Sequence, residues 1–211
     1  MNARGRRPLV RIERLSRRFG ERNAITDLNF VLGRGERVAV SGPNGAGKTT
    51  ILRCVAGTLA PTSGRILIDE HPAGSIDARR LIGVSFSQER SFYLRLSGHA
   101  NLLFFARLRG CTRRQAVDAV RALEQELELQ EILPKRIDSC STGMVQQLAL
   151  ARAILGEPAL LLLDEPTRSL DEEAIARLWA ALDNRPTAAL LIATHRDDDV
   201  DRCDRRIDLG P

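Results

Sequence analysis

Apolar and polar positions alternate at the start of the chain, which is the period of a β-strand with one buried face. The alternation covers residues 9–14, and residues 25–32 form a second strand candidate, so this part predicts a small antiparallel sheet. Two more strand candidates follow at residues 64–68 and 81–85, separated by a short loop and helix at residues 75–80. The first part of the chain is therefore predicted to be rich in strands.

The spacing of apolar residues becomes helical at residue 101 and stays so to residue 155. The apolar positions recur at intervals of three and four: Leu102, Phe105, Ala106, Ala116, Val120, Leu123 and Leu127. Pro134 interrupts the pattern. We expect a helical subdomain at about residues 89–155.

Strand candidates that are apolar at almost every position return after the helical block. They lie at residues 159–163, 188–193 and 205–209, and a helix is predicted at residues 172–182. Uniformly apolar strands that alternate with helices are typical of a parallel sheet covered on both faces. The chain is therefore predicted to be an α/β protein in which residues 9–211 form one domain, with the helical subdomain inserted into its core.

Composition narrows the class of protein but leaves its partners open. The 211 residues are 43% hydrophobic and 28% charged, which is ordinary for a globular protein with one core and at most one subdomain. Every apolar run is far shorter than the ~20 residues that span a bilayer, so we expect that this chain does not cross a membrane by itself. The net charge of +5 is compatible with nucleic acid, an anionic membrane surface or a nucleotide.

The N-terminal arginines and the cysteines both favour ordinary interpretations. No apolar stretch follows the arginines of residues 1–8, so a disordered basic tail is favoured over a targeting signal. The 4 cysteines are isolated from one another and from the 3 histidines. That spacing favours reduced cytosolic thiols over a zinc site.

Residues 42–49, which read Gly-Pro-Asn-Gly-Ala-Gly-Lys-Thr, fill every fixed place of the phosphate-binding pattern G-x-x-x-x-G-K-[ST]. Its glycines allow positive φ and a close approach of backbone N–H groups to phosphate oxygens. Lys48 would reach the β- and γ-phosphates, and the Thr49 hydroxyl would hold Mg²⁺. A strand is predicted at residues 38–40 and a helix from about Lys48, so the helix dipole would point at the anion. The order strand, loop, helix favours a nucleotide site over a plain glycine-rich turn.

Two acids end the apolar strand candidate at residues 160–163, and ligands of open α/β sheets bind at the carboxyl ends of strands. Asp164 is predicted to support Mg²⁺, directly or through water. Glu165 is placed to accept a hydrogen bond from a water that attacks the γ-phosphate. The alternative is a strand that merely ends in solvated acids.

These residues, with others in a fixed order, resemble the ATP-binding subunits of ABC transporters over about residues 9–209. Residues 42–50 are similar to the Walker A motif, and Asp164 with Glu165 to Walker B and its following glutamate. Phe19 resembles the aromatic residue that stacks on adenine, and Gln88 resembles the glutamine that senses Mg²⁺. Residues 141–144 with Gln146 are similar to the ABC signature, and residues 169–171 are similar to the D-loop. His195 resembles the switch histidine. Phe19 could instead pack in the core at the end of the first strand, and His195 could be only a loop residue after a strand.

The resemblance implies a P-loop NTPase (RecA-like) fold with a small antiparallel β subdomain, an inserted helical subdomain, and ATP with Mg²⁺ as cofactors. The residues implied to bind ATP are Phe19, Gly42, Pro43, Asn44, Gly45, Ala46, Gly47, Lys48, Thr49, Thr50, Gln88, Ser141, Gly143 and Asp171. The residues implied to bind Mg²⁺ are Thr49, Gln88 and Asp164, and those implied to act in catalysis are Glu165, His195 and Lys48.

The signature departs from the commoner Leu-Ser-Gly-Gly-Gln, because Cys140, Thr142 and Met144 replace three of its five residues. The Ser-x-Gly-Met form that remains is familiar in subunits of exporters. The resemblance also implies a homodimer, or a pair with a similar subunit, in which each ATP lies between one Walker A loop and the partner's signature. It further implies a transmembrane permease partner, a place on the cytoplasmic face of the membrane, and no direct contact with nucleic acid. The segment at residues 89–96, which contains Phe92, Tyr93 and Leu94, would line the groove for the permease; the alternative is that its aromatic residues belong to the core.

Three other functions fit the pattern less well. A soluble ABC-type ATPase that acts on ribosomes would typically carry two such modules, and one that acts on DNA would carry a long coiled coil before Ser141. A small-molecule P-loop kinase would not need the signature, D-loop and switch histidine together. The third alternative is an importer subunit or a haem-export subunit of cytochrome maturation; the chain length suits the latter, but the signature fits less well.

Overall fold

The computed structural model describes residues 8–86 and 91–210, which form two compact units. Within the described residues the first unit comprises residues 8–82, 159–165 and 187–210. The second unit comprises residues 83–86, 91–158 and 166–186. Both the predicted basic tail at residues 1–8, except for Pro8, and Gln88 lie outside the described residues.

In chain order the strands are β1 (Val10–Phe19), β2 (Arg22–Leu32), β3 (Arg37–Ser41), β4 (Ser63–Ile68), β5 (His71–Pro72), β6 (Ile82–Ser85), β7 (Leu160–Asp164), β8 (Ala189–Ala193) and β9 (Arg205–Asp208). The helices are α1 (Lys48–Val55), α2 (Ile76–Arg80), α3 (Gly98–Leu108), α4 (Arg113–Glu126), α5 (Thr142–Ile154), α6 (Glu172–Asp183) and α7 (Asp197–Val200). These elements confirm the predicted α/β class.

The first unit contains the small antiparallel sheet that the alternating pattern predicts. Its strand order is β2-β1-β4-β5, so β1 lies between two neighbours, and Val10, Ile12 and Leu15 are its buried residues. The strand runs beyond the predicted end at Arg14 because its register shifts there rather than stopping. Arg14 takes a positive φ of 50°, and its backbone N–H donates to Asn29 Oδ1 at 2.9 Å. Pairing then continues until Phe19 lies opposite Arg22.

The same unit contains parallel strands in the order β7-β8-β3-β9. Every residue of β7 and β8 is buried, as the apolar runs predict. Pairing aligns the last residue of β7, Asp164, with Ala193, the last residue of β8. The carboxyl ends of these two strands therefore meet at one edge of the sheet, which places the residues that follow them side by side.

The second unit is mainly helical and has its own apolar core, which includes Leu102, Val120, Leu123, Leu129 and Leu148. The predicted block divides into α3, α4 and α5, because polar caps end and restart the backbone hydrogen bonds. Thr112 and Gln115 form a capping box at the start of α4. Among the described residues no helix is long and apolar enough to cross a membrane.

Candidate nucleotide site

The loop between β3 and α1 has the backbone that the glycine pattern predicts. Gly42, Gly45 and Gly47 take φ values of 147°, 85° and 100°, which L side chains rarely adopt. The Ala46 N–H donates to the Pro43 carbonyl at 3.1 Å and closes a turn. A Cβ at Gly47 would lie 2.5 Å from the Ala24 carbonyl oxygen of β2. Gly47 is thus required both by its dihedral angle and by the close approach of β2.

Lys48 begins α1 and lies over this loop, with only 7% of its surface exposed. Its Nζ donates to the carbonyl oxygens of Gly42 at 2.6 Å and Pro43 at 3.1 Å. A buried ammonium needs such acceptors to compensate for lost hydration. These bonds hold a positive charge at the loop, beside the N-terminal N–H groups of α1, where an anion is stabilised.

Thr49 and Asp164, predicted to hold Mg²⁺, are direct neighbours. The Thr49 hydroxyl donates to Asp164 Oδ2 at 2.9 Å, which joins α1 to the end of β7. Burial raises the pKa of the Asp164 carboxyl, and the hydrogen bond from Thr49 opposes that shift. One hydroxyl and one carboxylate fit Mg²⁺, which binds few protein oxygens and keeps several waters. The structure therefore brings together the two described residues of the predicted metal site.

Glu165 and His195, which are 30 positions apart, are joined by a hydrogen bond of 2.7 Å between Glu165 Oε2 and His195 Nδ1. The parallel pairing of β7 and β8 causes this, since each residue follows one of the two strands. Glu165 takes a positive φ of 48°, and its N–H donates to the Ala193 carbonyl at 2.8 Å. The Glu165 side chain is 13% exposed and that of His195 is 60% exposed. The carboxylate is thus held by its backbone, while the imidazole remains accessible.

Two buried residues that support His195 were missed by the sequence analysis. The Thr194 hydroxyl donates to Asp199 Oδ2 at 3.0 Å and accepts the backbone N–H of Arg196 at 3.1 Å. Thr194 and Asp199 are 0% and 1% exposed, so buried hydrogen bonds hold the turn that follows His195. The sequence does not single out Asp199, because it stands in a run of three aspartates that is typical of an exposed surface.

Phe19 lies at the end of β1 and is 46% exposed, so the alternative that places it in the core is wrong. Opposite it, Arg22 donates from Nη2 to the Gly45 carbonyl of the phosphate loop at 2.7 Å. The end of the β1–β2 hairpin, which carries Phe19, is therefore attached to this loop. An exposed ring at this place can stack on a nucleotide base.

In the second unit, Ser141, Gly143 and Asp171 line one cleft of about 790 Å³. Ser141 caps α5, where its Oγ accepts the Met144 N–H at 3.2 Å, and Asp171 caps α6 by accepting the Ala174 N–H at 2.8 Å. A Cβ at Gly143 would lie 2.6 Å from the Ser169 carbonyl oxygen, so the D-loop backbone packs directly on this glycine. The structure therefore brings the predicted signature and D-loop residues together, and it shows a contact that the sequence does not.

Phe92 and Tyr93 differ in their surroundings. Phe92 is 9% exposed and belongs to the apolar core of the second unit, whereas Tyr93 is 52% exposed. The Tyr93 ring packs edge-on against Phe104 at 4.9 Å between centroids. The suggestion that both aromatic residues line a groove is therefore wrong for Phe92, because its side chain is needed in the core.

The loop, the strand that ends in acids and the parallel sheet define a P-loop nucleotide-binding domain of the ABC type. A family model described as ABC transporter matches residues 25–168. The chain is 32% identical over 203 residues to the ABC transporter ATP-binding protein NatA of Bacillus subtilis, which covers 91% of this chain and 81% of NatA. The chain therefore belongs to the ABC transporter family and is an ATP-binding domain of it.

A second relative is the Nod factor export ATP-binding protein I of Bradyrhizobium diazoefficiens. It is 36% identical over 194 residues, which cover 89% of this chain but only 62% of that relative. Among solved structures, the ATP-binding subunit of an ABC transporter has a TM-score of 0.87 at 29% identity, covering 95% of this chain and 85% of the other. A dimeric bacterial ABC transporter cassette has a TM-score of 0.84 at 24% identity, covering 95% and 94%, and supports the fold.

Proposed function

We propose that this chain hydrolyses ATP with Mg²⁺ as a dimer on the cytoplasmic face of a membrane, and drives export through a separate transmembrane permease. The observation that carries the proposal is the 2.7 Å hydrogen bond between Glu165 and His195 at the end of β7 and β8. Glu165 directly follows the Asp164 that contacts Thr49, and His195 follows the neighbouring strand β8. Binding alone would not require this pair.

In the proposed reaction the phosphate loop and Lys48 hold the β- and γ-phosphates. Thr49 and Asp164 hold Mg²⁺, which supplies charge stabilisation of the transferring phosphoryl group when it is bound. Glu165 accepts a hydrogen bond from the attacking water and orients it, and His195 fixes the carboxylate while its exposed edge reaches toward the γ-phosphate. Gln88 is proposed to contribute to the same metal site.

The proposed dimer assigns the two groups of ATP-binding residues to different copies of the chain. The phosphate loop belongs to the first unit and the cleft with Ser141, Gly143 and Asp171 to the second. In the proposed arrangement this cleft receives the γ-phosphate that a second copy, or a similar subunit, holds on its own loop. The dimeric cassette among the structural relatives supports this arrangement.

The name of one relative supports export, and an exposed apolar surface supports contact with a permease. One relative is named for Nod factor export, and it and this chain share the ATP-binding domain. Tyr93, Leu94, Phe104 and Leu108 are exposed on the second unit, at 52%, 47%, 37% and 67%. Exposed apolar patches of this kind mark contacts with partners. We propose that the permease binds here.

The test compares Glu165→Gln with the wild type in ATP binding and in phosphate release, without any acceptor added. Glu165→Gln should bind ATP, lose at least about a hundredfold in hydrolysis, since general-base contributions are of that order, and accumulate as a dimer. Glu173→Gln, at an acid that is 87% exposed, is the matched control and should hydrolyse normally. Full hydrolysis by Glu165→Gln would remove Glu165 from the mechanism. Wild-type protein that consumes ATP only with a small-molecule acceptor would instead be a kinase.

A further inference from the structure

Arg17 lies against the exposed ring of Phe19. The guanidinium carbon of Arg17 is 4.5 Å from the centroid of that ring, within the range of a cation–π contact. The two residues are two positions apart on β1, so the contact is local to one strand. Phe19 still has 46% of its surface exposed. Arg17 lies over one face of the ring, so a ligand that stacks on Phe19 would use the opposite face.

Arg17 is fixed in this place from the other side. Its Nη1 donates to the Ala60 carbonyl at 3.0 Å, and its Nε is shielded from solvent. A guanidinium that is held by the backbone behind the ring loses little further freedom when a ligand arrives. The pair is therefore a preorganised platform with the cation at the back and an open aromatic face at the front.

This platform is attached to the phosphate loop at two points. Phe19 pairs with Arg22, which donates to the Gly45 carbonyl at 2.7 Å. Two residues further along β2, the Ala24 carbonyl lies so close to Gly47 that a Cβ there would be 2.5 Å away. A nucleotide whose phosphates are held by the loop can therefore extend its base toward the hairpin that carries the platform.

We propose that Arg17 is a positioning residue for the nucleotide base, and that it acts through Phe19 to make the site prefer a nucleotide over a bare polyphosphate. The inference rests on the proposed function, since it takes Phe19 as the stacking residue. The cation withdraws electron density from the ring and fixes its plane, and both effects favour stacking of an electron-rich purine on the free face. The charge of Arg17 acts on the base through the ring, whereas Lys48 acts on the phosphates.

The experiment measures the dissociation constants of ADP and of inorganic pyrophosphate by titration calorimetry on the full chain. Pyrophosphate has the phosphates without the base, and neither ligand is hydrolysed by the proposed reaction. Arg17→Gln should weaken ADP measurably but by no more than about fivefold, which corresponds to the whole of an exposed cation–π contact, and should leave pyrophosphate unchanged. Arg18→Gln, at the exposed neighbouring arginine, should leave both unchanged. An equal loss for both ligands, or no loss for ADP, would overturn the proposal.

A double-mutant cycle separates an effect through the ring from a general effect on the fold. Phe19→Leu should weaken ADP alone, and adding Arg17→Gln to Phe19→Leu should cause no further loss. A full additional loss in the double variant would show that Arg17 does not act through Phe19, and would refute the inference. If Arg17→Gln does not fold, Arg17→Lys keeps a cation near the ring and should bind ADP with an affinity between those of the wild type and Phe19→Leu.

The proposed function fails in a different way from this inference. If the wild type binds neither ADP nor pyrophosphate, nucleotide binding itself is wrong. If Lys48→Ala loses both ligands while Arg17→Gln changes neither, the phosphate site stands and only the role of Arg17 is rejected.

Discussion

Gly47→Ala tests the contact that holds the phosphate loop against β2. The native φ of 100° is unfavourable for alanine, and the new Cβ would lie 2.5 Å from the Ala24 carbonyl oxygen. Backbone strain of this kind costs about 1–3 kcal/mol. Overpacking against a backbone atom that cannot rotate away adds about 1–3 kcal/mol. We therefore expect a loss of about 2–6 kcal/mol in the free energy of unfolding.

Gly110→Ala is the matched control, because Gly110 has a φ of 91° and no atom of the described residues would lie within 4 Å of its new Cβ. It should show the strain alone, about 1–3 kcal/mol. Urea denaturation followed by circular dichroism measures both variants, and ADP titration reports on the loop itself. Equal losses in the two variants would refute the argument, since they would show that the approach of β2 to Gly47 has no energetic consequence. Gly47→Ala should also weaken ADP, because the loop that holds the phosphates is displaced. Normal ADP affinity in Gly47→Ala would refute this expectation.

Two further predictions concern single side chains. Because burial raises the pKa of Asp164 above its ordinary value of 3.8, its charge costs stability at neutral pH. Asp164→Asn, which can still accept the Thr49 hydroxyl, should raise the melting temperature at pH 7, and the gain should shrink as the pH falls toward 3.8; a gain independent of pH would contradict this. Phe92→Ala should cost about 3–5 kcal/mol in unfolding free energy, as for a core aromatic, whereas Tyr93→Ala should cost under about 1 kcal/mol and impair only transport; equal losses in the two would contradict the assigned burial.

The fold class and the phosphate loop were predictable because their signals are local. Glycine permits the positive φ angles found at Gly42, Gly45 and Gly47, and uniformly apolar runs that alternate with helices favour strands buried on both faces. Helix starts at Ser141 and Asp171 were also marked by residues that cap helices. The dihedral angles of the loop and the helix caps depend on residues only a few positions apart, and the apolar runs are themselves short continuous stretches of the sequence.

The surroundings of the aromatic residues could not be predicted in the same way. Phe92 and Tyr93 are adjacent in a segment without periodicity, so nothing in the pattern says which ring enters the core. Phe19 could have packed inside, and it is exposed because the register shifts in β1 decide which way its last residues face. A shift of one residue turns a side chain to the other face of a sheet.

The sequence by itself determined the class of protein, the backbone of the phosphate loop and the residue types of the site. Only the tertiary structure decided which of those residues meet: Glu165 with His195, Thr49 with Asp164, and the Ser169 carbonyl with Gly143. The proposed role of Arg17 depends on its two contacts, with the Ala60 carbonyl and with the Phe19 ring. The reason is that strand pairing and loop packing bring together residues that are distant in the chain, and a local sequence pattern does not show which residues come into contact.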